Sequence, residues 1–294
     1  MKSQSLKCAL ALSCGLLAVA ANAKPPVDAA GATPRIVHFP AKGVDTGSGG
    51  EERLVAKATN LTNHGGPIIT SARVVFLFWG PSFANAASPD NLYATTLQAF
   101  RNQFGTNSEF NTITQYTGSN GTVALSNLAA GTADWFDTST PPTKVTDAIV
   151  QGEVNAYLAS HTFDANAIYE VVIPSTSYSD DGTGATSCGG PRLTYCAYHS
   201  WIGSGTNAKK YSIQPYPSCS GCSVSGWTAV QNQEHFVCHE TREAVTDPVG
   251  TGWWDRSGAE ADDKCAWSPT PFLSGGFGYQ YEWSNAARGC VQTR

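Results

Sequence analysis

Short apolar runs recur along the chain and predict buried strands. Residues 74–79 are the clearest of these runs, because β-prone side chains follow one another until Gly80 and Pro81 interrupt them. Residues 167–173 form a second run of the same kind. Two further strands are expected at residues 194–202 and 209–215.

Three segments repeat their apolar residues at helical spacing instead. Residues 89–104 begin at a serine–proline N-cap, and residues 143–159 form a second amphipathic segment. A third helix is expected at residues 227–246, where an Asp-Pro pair ends it. The order of strand, helices, three strands and helix predicts an α/β or α+β fold. We expect one main mixed sheet with packed helices, followed by a loop-rich, disulfide-bonded tail.

The N-terminus has the layout of a signal peptide at residues 1–23. Lys2 and Lys7 precede an apolar run, and the small residues Ala21 and Ala23 form a cleavage site. The apolar run is too short for a membrane anchor, which needs about 20 residues. We therefore expect a secreted protein, either extracellular or periplasmic.

Two more segments follow the predicted cleavage site. Residues 24–60 are rich in Pro, Gly, Ala and Asp and predict a linker or propeptide that need not pack. Residues 61–294 are expected to form a single globular domain. The formal net charge is −5 and 14% of residues are charged, which gives no electrostatic footprint for nucleic acid. No contact with a membrane is expected after signal cleavage.

The cysteines predict disulfides. Two of the nine leave with the signal peptide, and the other seven would meet an oxidising compartment. An odd number leaves one thiol over, and pairing near neighbours would leave Cys238 free. That guess, which the sequence alone does not fix, joins Cys188 with Cys196, Cys219 with Cys222, and Cys265 with Cys290. A redox pair or a four-cysteine zinc site is the less favoured alternative for Cys219 and Cys222, because loop residues surround them.

The predicted helix at residues 227–246 carries metal-binding residue types on one side. Glu240 and Asp247 lie at the edge of that side, and only Arg242 is near enough to balance them. Acids concentrated in this way repel one another unless a cation joins them. The residues that stand four apart and line the side are His235, His239 and Glu243.

His239, Glu240 and Glu243 resemble the zincin motif, with Glu243 in place of the second histidine. In that motif two residues one turn apart hold zinc, and the carboxylate beside the first takes a proton from the zinc-bound water. The resemblance implies that His239 and Glu243 are ligands and that Glu240 is the general base. Zn²⁺ is the expected ion, although the extra carboxylate also suits a harder cation such as Ca²⁺.

A third ligand is expected downstream of the helix. Glu260 and Asp263 stand three residues apart, and a downstream glutamate is the third ligand of the glutamate-type zincins. We expect Glu260 to ligate and Asp263 to orient the site, with His235 and Asp247 as alternative ligands or orienting residues. A histidine in the position of His235 is more often a partly buried structural residue than a metal ligand. An open coordination position would favour catalysis, whereas a closed arrangement would favour a structural ion.

Without a metal, the same residues would belong to a buried hydrogen-bonded network. In that alternative, His239 and Glu243 pair with Arg242, Trp253 or backbone groups.

A wider resemblance covers residues 63–290. Its features occur in the order found in the phosphate-induced, EXORDIUM-like secreted proteins. The resemblance implies an extracellular or cell-wall-associated protein and brings no established reaction. The features are His64-Gly65-Gly66-Pro67 before the first strand, Cys196-Ala197-Tyr198-His199, Cys219 with Cys222, the helix ending at Asp247-Pro248, and Glu260 with Asp263, Lys264 and Cys265.

Two functions follow as expectations. The first is a secreted, zincin-like metal-dependent hydrolase that acts on a protein or peptide. The second is a non-catalytic EXORDIUM-like protein with a structural ion. Carbohydrate contact through an aromatic tail is a third possibility, although core packing explains such clusters more often. The tail residues are Trp253, Trp254, Trp267, Tyr279, Tyr281 and Trp283.

Overall fold

The computed structural model describes residues 33–44 and 59–294. The predicted signal peptide and most of the predicted linker lie outside the described residues. Within the described ranges, no helix combines the length and the apolar character that crossing a bilayer requires.

One six-stranded mixed sheet forms the centre of the fold. Its strand order is β1-β10-β11-β8-β3-β6. The pairs β11–β8, β8–β3 and β3–β6 are parallel, whereas β10 is antiparallel to both of its neighbours. The strands are β1 (Val37–Pro40), β3 (Arg73–Trp79), β6 (Trp135–Asp137), β8 (Ala167–Val172), β10 (Tyr195–Ile202) and β11 (Lys209–Gln214).

Short two-stranded pairs surround the main sheet. They are β2 (Thr62–Asn63) with β12 (Trp253–Trp254), β4 (Thr117–Gly118) with β5 (Gly121–Thr122), β7 (Lys144–Thr146) with β9 (Tyr178–Asp180), β13 (Phe272–Ser274) with β14 (Phe277–Tyr279), and β15 (Glu282–Ser284) with β16 (Gly289–Val291).

The helices are α1 (Pro81–Ala84), α2 (Pro89–Phe104), α3 (Asp147–Leu158) and α4 (Ala229–Thr246), with 3₁₀ turns at Phe110–Gln115, Gly205–Asn207, Ser220–Cys222 and Asp263–Cys265. The Ser88 side chain caps α2 by accepting from Asp90 N. A capping box of Thr228 and Gln231 begins α4. The helix that the pattern predicted to start near residue 143 starts at Asp147, because residues 144–146 pair with β9 instead.

The main sheet is covered on both faces. On β3, Phe76 and Phe78 face a core shared with α2 and α4. Val75 and Leu77 face the other way, toward a core shared with α3. This alternation explains why the strand is continuously apolar. The predicted fold class, one mixed sheet with packed helices, is confirmed.

Residues 33–44 differ from the expectation of a segment that need not pack. Residues 37–40 are the edge strand β1, which pairs antiparallel with β10. Phe39 is fully buried, and Ala41 N donates to Thr194 O. The strand β1 was not predicted, because four residues within a segment rich in Pro and Gly are too few to show a periodic pattern.

Three disulfides tie the loops, but two predicted pairings are wrong. The bridges are Cys188–Cys219, Cys196–Cys222 and Cys265–Cys290. The 3₁₀ turn at Ser220–Cys222 packs against the start of β10. Cys222 in this turn and Cys219 just before it therefore meet partners from β10 and the preceding loop rather than each other. Cys265–Cys290 and the free, buried Cys238 are as predicted.

Candidate metal centre

Helix α4 is buried on every side along residues 232–246. Its apolar residues Val237 and Val245 belong to the core beneath the sheet. Its polar side is covered by residues 33–44, by β10 and by the loop that carries Glu260. The acids on that side are therefore removed from water, which is costly unless a partner compensates.

The predicted ligands come together, and a histidine from the sheet joins them. His239 Nε2 lies 3.1 Å from Glu243 Oε2. His199, on β10, has its Nδ1 3.7 Å from Glu243 Oε2 and its Nε2 3.8 Å from Glu260 Oε2. Atoms bound tetrahedrally at about 2.0–2.2 Å from zinc are about 3.3 Å apart. The separation of His239 Nε2 from Glu243 Oε2 is close to that size, and that of His199 Nε2 from Glu260 Oε2 is about half an ångström longer.

Several ligand atoms in this cluster have no hydrogen-bond partner among the described residues. Buried polar atoms are otherwise paired in more than about 90% of cases. A group of unpaired acceptors that face one another needs a cation or protons between them. The atoms are His199 Nε2, His239 Nε2, Glu240 Oε1, Glu243 Oε2 and Glu260 Oε2.

Gln280 orients two histidines of α4. Its Oε1 lies 3.2 Å from His239 Nδ1 and 2.9 Å from His235 Nε2. Its amide nitrogen donates to Asp262 Oδ1 at 2.8 Å, which fixes the direction of the oxygen. Since an amide oxygen only accepts, His239 donates from Nδ1, so Nε2 is the atom that could ligate a metal once it has lost its proton.

His235 is engaged by aromatic rings and by Gln280 rather than by the carboxylates of the cluster. Its ring lies against Phe39 and Trp267, at centroid distances of 5.0 Å from each. Burial lowers the pKa of His235 to about 3, so the ring is neutral. It supports the position of Gln280 and adds no ligand atom to the cluster.

Glu240 contacts both histidine-bearing elements. Its Oε2 is hydrogen-bonded to His199 Nδ1 at 2.9 Å, and Oε1 has no partner among the described residues. The carboxylate therefore orients His199 with one oxygen and has the other available for a proton. His199 was named only within the EXORDIUM-like resemblance and not as a ligand, because it is a single histidine in an apolar strand and its partner Glu240 lies about forty residues away.

The loop after α4 positions Glu260 and Asp263. Asp263 N donates to Glu243 Oε1 at 2.9 Å, and Glu260 N donates to Asp263 Oδ2 at 3.1 Å. Asp263 thus holds both predicted carboxylate ligands through backbone bonds. Asp247 is held by Gly252 N at 2.6 Å and by Arg35 Nη2 at 3.2 Å, which leaves it beside the cluster.

Arg242 does not balance the cluster. It points away, to Glu282 at 2.9 Å and to Asp262. Trp253 Nε1 donates to Thr117 O. His239 and Glu243 therefore do not pair with Arg242 or Trp253, and the part of the alternative network that forms is the backbone bond from Asp263 N to Glu243 Oε1.

The electrostatics follow from burial. Desolvation raises the pKa of Glu240 and Glu260 well above their ordinary range. Burial, reinforced by the Glu243 carboxylate, raises the pKa of Asp263 to about 8. For His239, burial lowers the pKa, but Glu243 and Glu240 outweigh it and raise the pKa to about 10. Protons hold this cluster together in the absence of a cation, and a bound cation would displace them.

The aromatic tail packs inward. Tyr279 and Trp283 are buried in the main core, and Trp253 and Tyr281 pack against it. Trp267 stacks on Phe39 with a centroid distance of 5.1 Å. These contacts favour the structural explanation of the tail over a sugar-binding surface. Cys219 and Cys222 are bound in disulfides, which removes the redox-pair and zinc alternatives for them.

The chain matches no protein family, no curated protein and no solved structure. The resemblance to EXORDIUM-like proteins and to zincins therefore stays a prediction.

Proposed function

We propose that this chain is an exported, metal-dependent hydrolase that acts on protein or peptide substrates. The observation that carries the proposal is a set of unpaired, buried ligand atoms from two histidines and three glutamates, which form two groups that share Glu243. His199, His239, Glu243 and Glu260 would hold the ion. The second imidazole favours Zn²⁺ over Ca²⁺, because Ca²⁺ takes oxygen ligands.

A bound zinc ion would supply Lewis acidity and an activated water. The chain's own residues supply the rest. Glu240 has one oxygen fixed by His199 and one unpaired, so it would accept a proton from a reacting group close to the ion. Gln280 keeps His239 in the tautomer that ligates, and Asp263 keeps Glu243 in place.

The second candidate is a non-catalytic extracellular protein with a structural ion. The burial of the site favours it, since the side chains of Glu240, Glu243 and Glu260 are fully buried. Structural zinc sites have four protein ligands, which is the number available here, whereas catalytic sites keep one position open for water. Catalysis would therefore require water to enter as a fifth ligand or to displace one of these four side chains.

Two measurements separate the candidates. Elemental analysis of residues 24–294, purified without added metal, should show one zinc per chain. Cleavage of a fluorescent generic protein substrate should depend on the ion and disappear both with a chelator and in Glu240→Gln. A bound ion without any cleavage would support the structural candidate. Cleavage that survives Glu240→Gln would remove the catalytic assignment.

A further inference from the structure

The edge strand β1 lies on the strand that carries His199. Val37 is the antiparallel partner of His199, and Phe39 that of Ala197. Among the described residues, β1 has β10 as its only strand partner. If β1 left, β10 would present an open edge beside the candidate metal centre. Open sheet edges bind extended peptides through backbone hydrogen bonds.

Two side chains of this segment reach the candidate centre. Phe39 stacks on the His239 ring, with a centroid distance of 4.3 Å and an interplanar angle of 28°. Arg35 Nη2 lies 3.2 Å from Glu260 Oε1 and 3.2 Å from Asp247 Oδ2. Residues 35 and 39 are four apart, and alternate side chains of an extended segment lie on the same face. The side chains of Arg35 and Phe39 therefore lie on the same side of the segment, toward the site.

Arg35 separates the acids from solvent. Its side chain is 40% exposed, while those of Asp247 and Glu260 are fully buried. Among the described residues, it is the only lysine or arginine within ion-pair distance of the acids that surround His199 and His239. Its backbone is fixed as well, since Ser200 Oγ donates to Arg35 O at 2.8 Å.

We propose that the edge of β10 is a binding site for an extended peptide with a basic side chain, and that β1 with Arg35 occupies this site within the chain. The inference rests on the proposed function, because it makes β1 the segment that closes the metal centre. It also assigns the substrate class: an extended peptide that runs antiparallel to β10, with a lysine or arginine opposite Asp247 and Glu260.

The test uses the whole exported chain, cut once. A recognition sequence for a site-specific protease is placed within residues 45–58, and the purified protein is cleaved there. The probe is a fluorescent peptide of residues 33–44, and its binding is followed by anisotropy. The probe should bind the cut chain and not the intact chain, because only a severed β1 can be exchanged.

Matched probes test the role of the basic side chain. A peptide with Arg35→Ala should bind at least about tenfold more weakly, because a buried charge pair loses one partner. A peptide with Thr33→Ala should bind as the parent does, since Thr33 is exposed. Equal binding of the Arg35→Ala peptide, or no binding of the parent, would overturn the proposal.

A second pair of variants covers the case in which β1 stays bound to β10 after the chain has been cut. Arg35→Ala in the chain itself weakens the resident strand, so the cut variant should take up the parent probe more readily. Arg73→Ala is the matched control, because among the described residues the Arg73 side chain bonds only to Ser71 and the Ala72 carbonyl. No gain in uptake for Arg35→Ala relative to Arg73→Ala would contradict the proposal.

The result of the peptide-binding test can be distinguished from the result of the tests of the proposed hydrolase function. Peptide binding by anisotropy needs neither metal nor turnover. If the cut chain binds the probe through Arg35 and cleaves nothing, the peptide site stands and the hydrolase fails. If the chain binds zinc and cleaves substrate but ignores the probe, the hydrolase stands and the peptide site fails. If both hold, cutting should raise the cleavage rate.

Discussion

His239 Nε2 and Glu243 Oε2 face each other at 3.1 Å across one turn of a buried helix, and neither atom has another hydrogen-bond partner among the described residues. This relationship connects the helix pattern to the chemistry. A spacing of four residues placed the two side chains together, and burial removed the water that would otherwise satisfy them.

Glu240 should be needed for cleavage and dispensable for metal binding. Glu240→Gln keeps an oxygen that can accept from His199 Nδ1 but loses the ability to take a proton. We expect cleavage of a protein substrate to fall by about a hundredfold or more. The zinc content, measured by elemental analysis, should stay unchanged. Loss of zinc in this variant would instead make Glu240 a ligand.

Gln280 should tune the affinity for the ion. Gln280→Leu removes the acceptor for His239 Nδ1 and lets the imidazole take the wrong tautomer. Affinity for zinc, measured by competition with a chromophoric chelator, should fall by about 10–100-fold. Gln292→Leu, at an exposed position near the C-terminus, is the control. Equal affinities in the two variants would show that Gln280 does not act on the site.

Glu170 should make stability fall as pH rises. It is fully buried and accepts from Ser212 Oγ, from Gln214 Nε2 at 2.7 Å and from Thr241 Oγ1 at 3.1 Å. Burial raises its pKa from 4.5 to about 7 despite these bonds. The folded state therefore binds more protons than the unfolded state between these values, and stability decreases as pH rises through them.

Glu170→Gln should remove this loss of stability. The amide keeps the bonding pattern, since its nitrogen can donate to Thr241 Oγ1. Relative to the parent, the variant should gain on the order of 3 kcal/mol in free energy of unfolding between pH 4 and pH 8. Denaturant unfolding at both pH values provides the measurement. Parallel pH profiles for the two proteins would contradict the assignment.

Cys238 is the one free thiol among the described residues, and it should not react while the protein is folded. It is fully buried, and desolvation raises its pKa to about 12, so little thiolate is present at neutral pH. Alkylating reagents should leave the folded protein unlabelled and add one label per chain in denaturant without reductant. Labelling of the folded protein, or a different number in denaturant, would contradict this arrangement.

Local patterns predicted the main elements well. Residues 89–104 were predicted as a helix and form α2 with the same bounds, because an N-cap and a helical stripe act within neighbouring residues. The strands at residues 74–79 and 167–173 were predicted to within about one residue, since burial on both faces demands continuous apolar runs.

The missing parts depend on contacts between distant segments. His199 joins Glu240 from another element, and Gln280 reaches His239 across about forty residues. β1 carries too few residues to show a period, and its role follows only from its partner β10. The pairing of Cys188 with Cys219 likewise follows from where a turn packs, which spacing does not encode.

The most direct test of the metal centre is the zinc content and zinc affinity of the exported chain with and without His199. A metal centre that includes His199 requires one zinc per chain in the parent and in His161→Ala, where the wild-type ring stacks on Tyr157 far from α4 in the sequence. His199→Ala should lose the ion or bind it at least about tenfold more weakly. A parent that contains no divalent ion and acquires none, or a His199→Ala variant that binds zinc as the parent does, would contradict it.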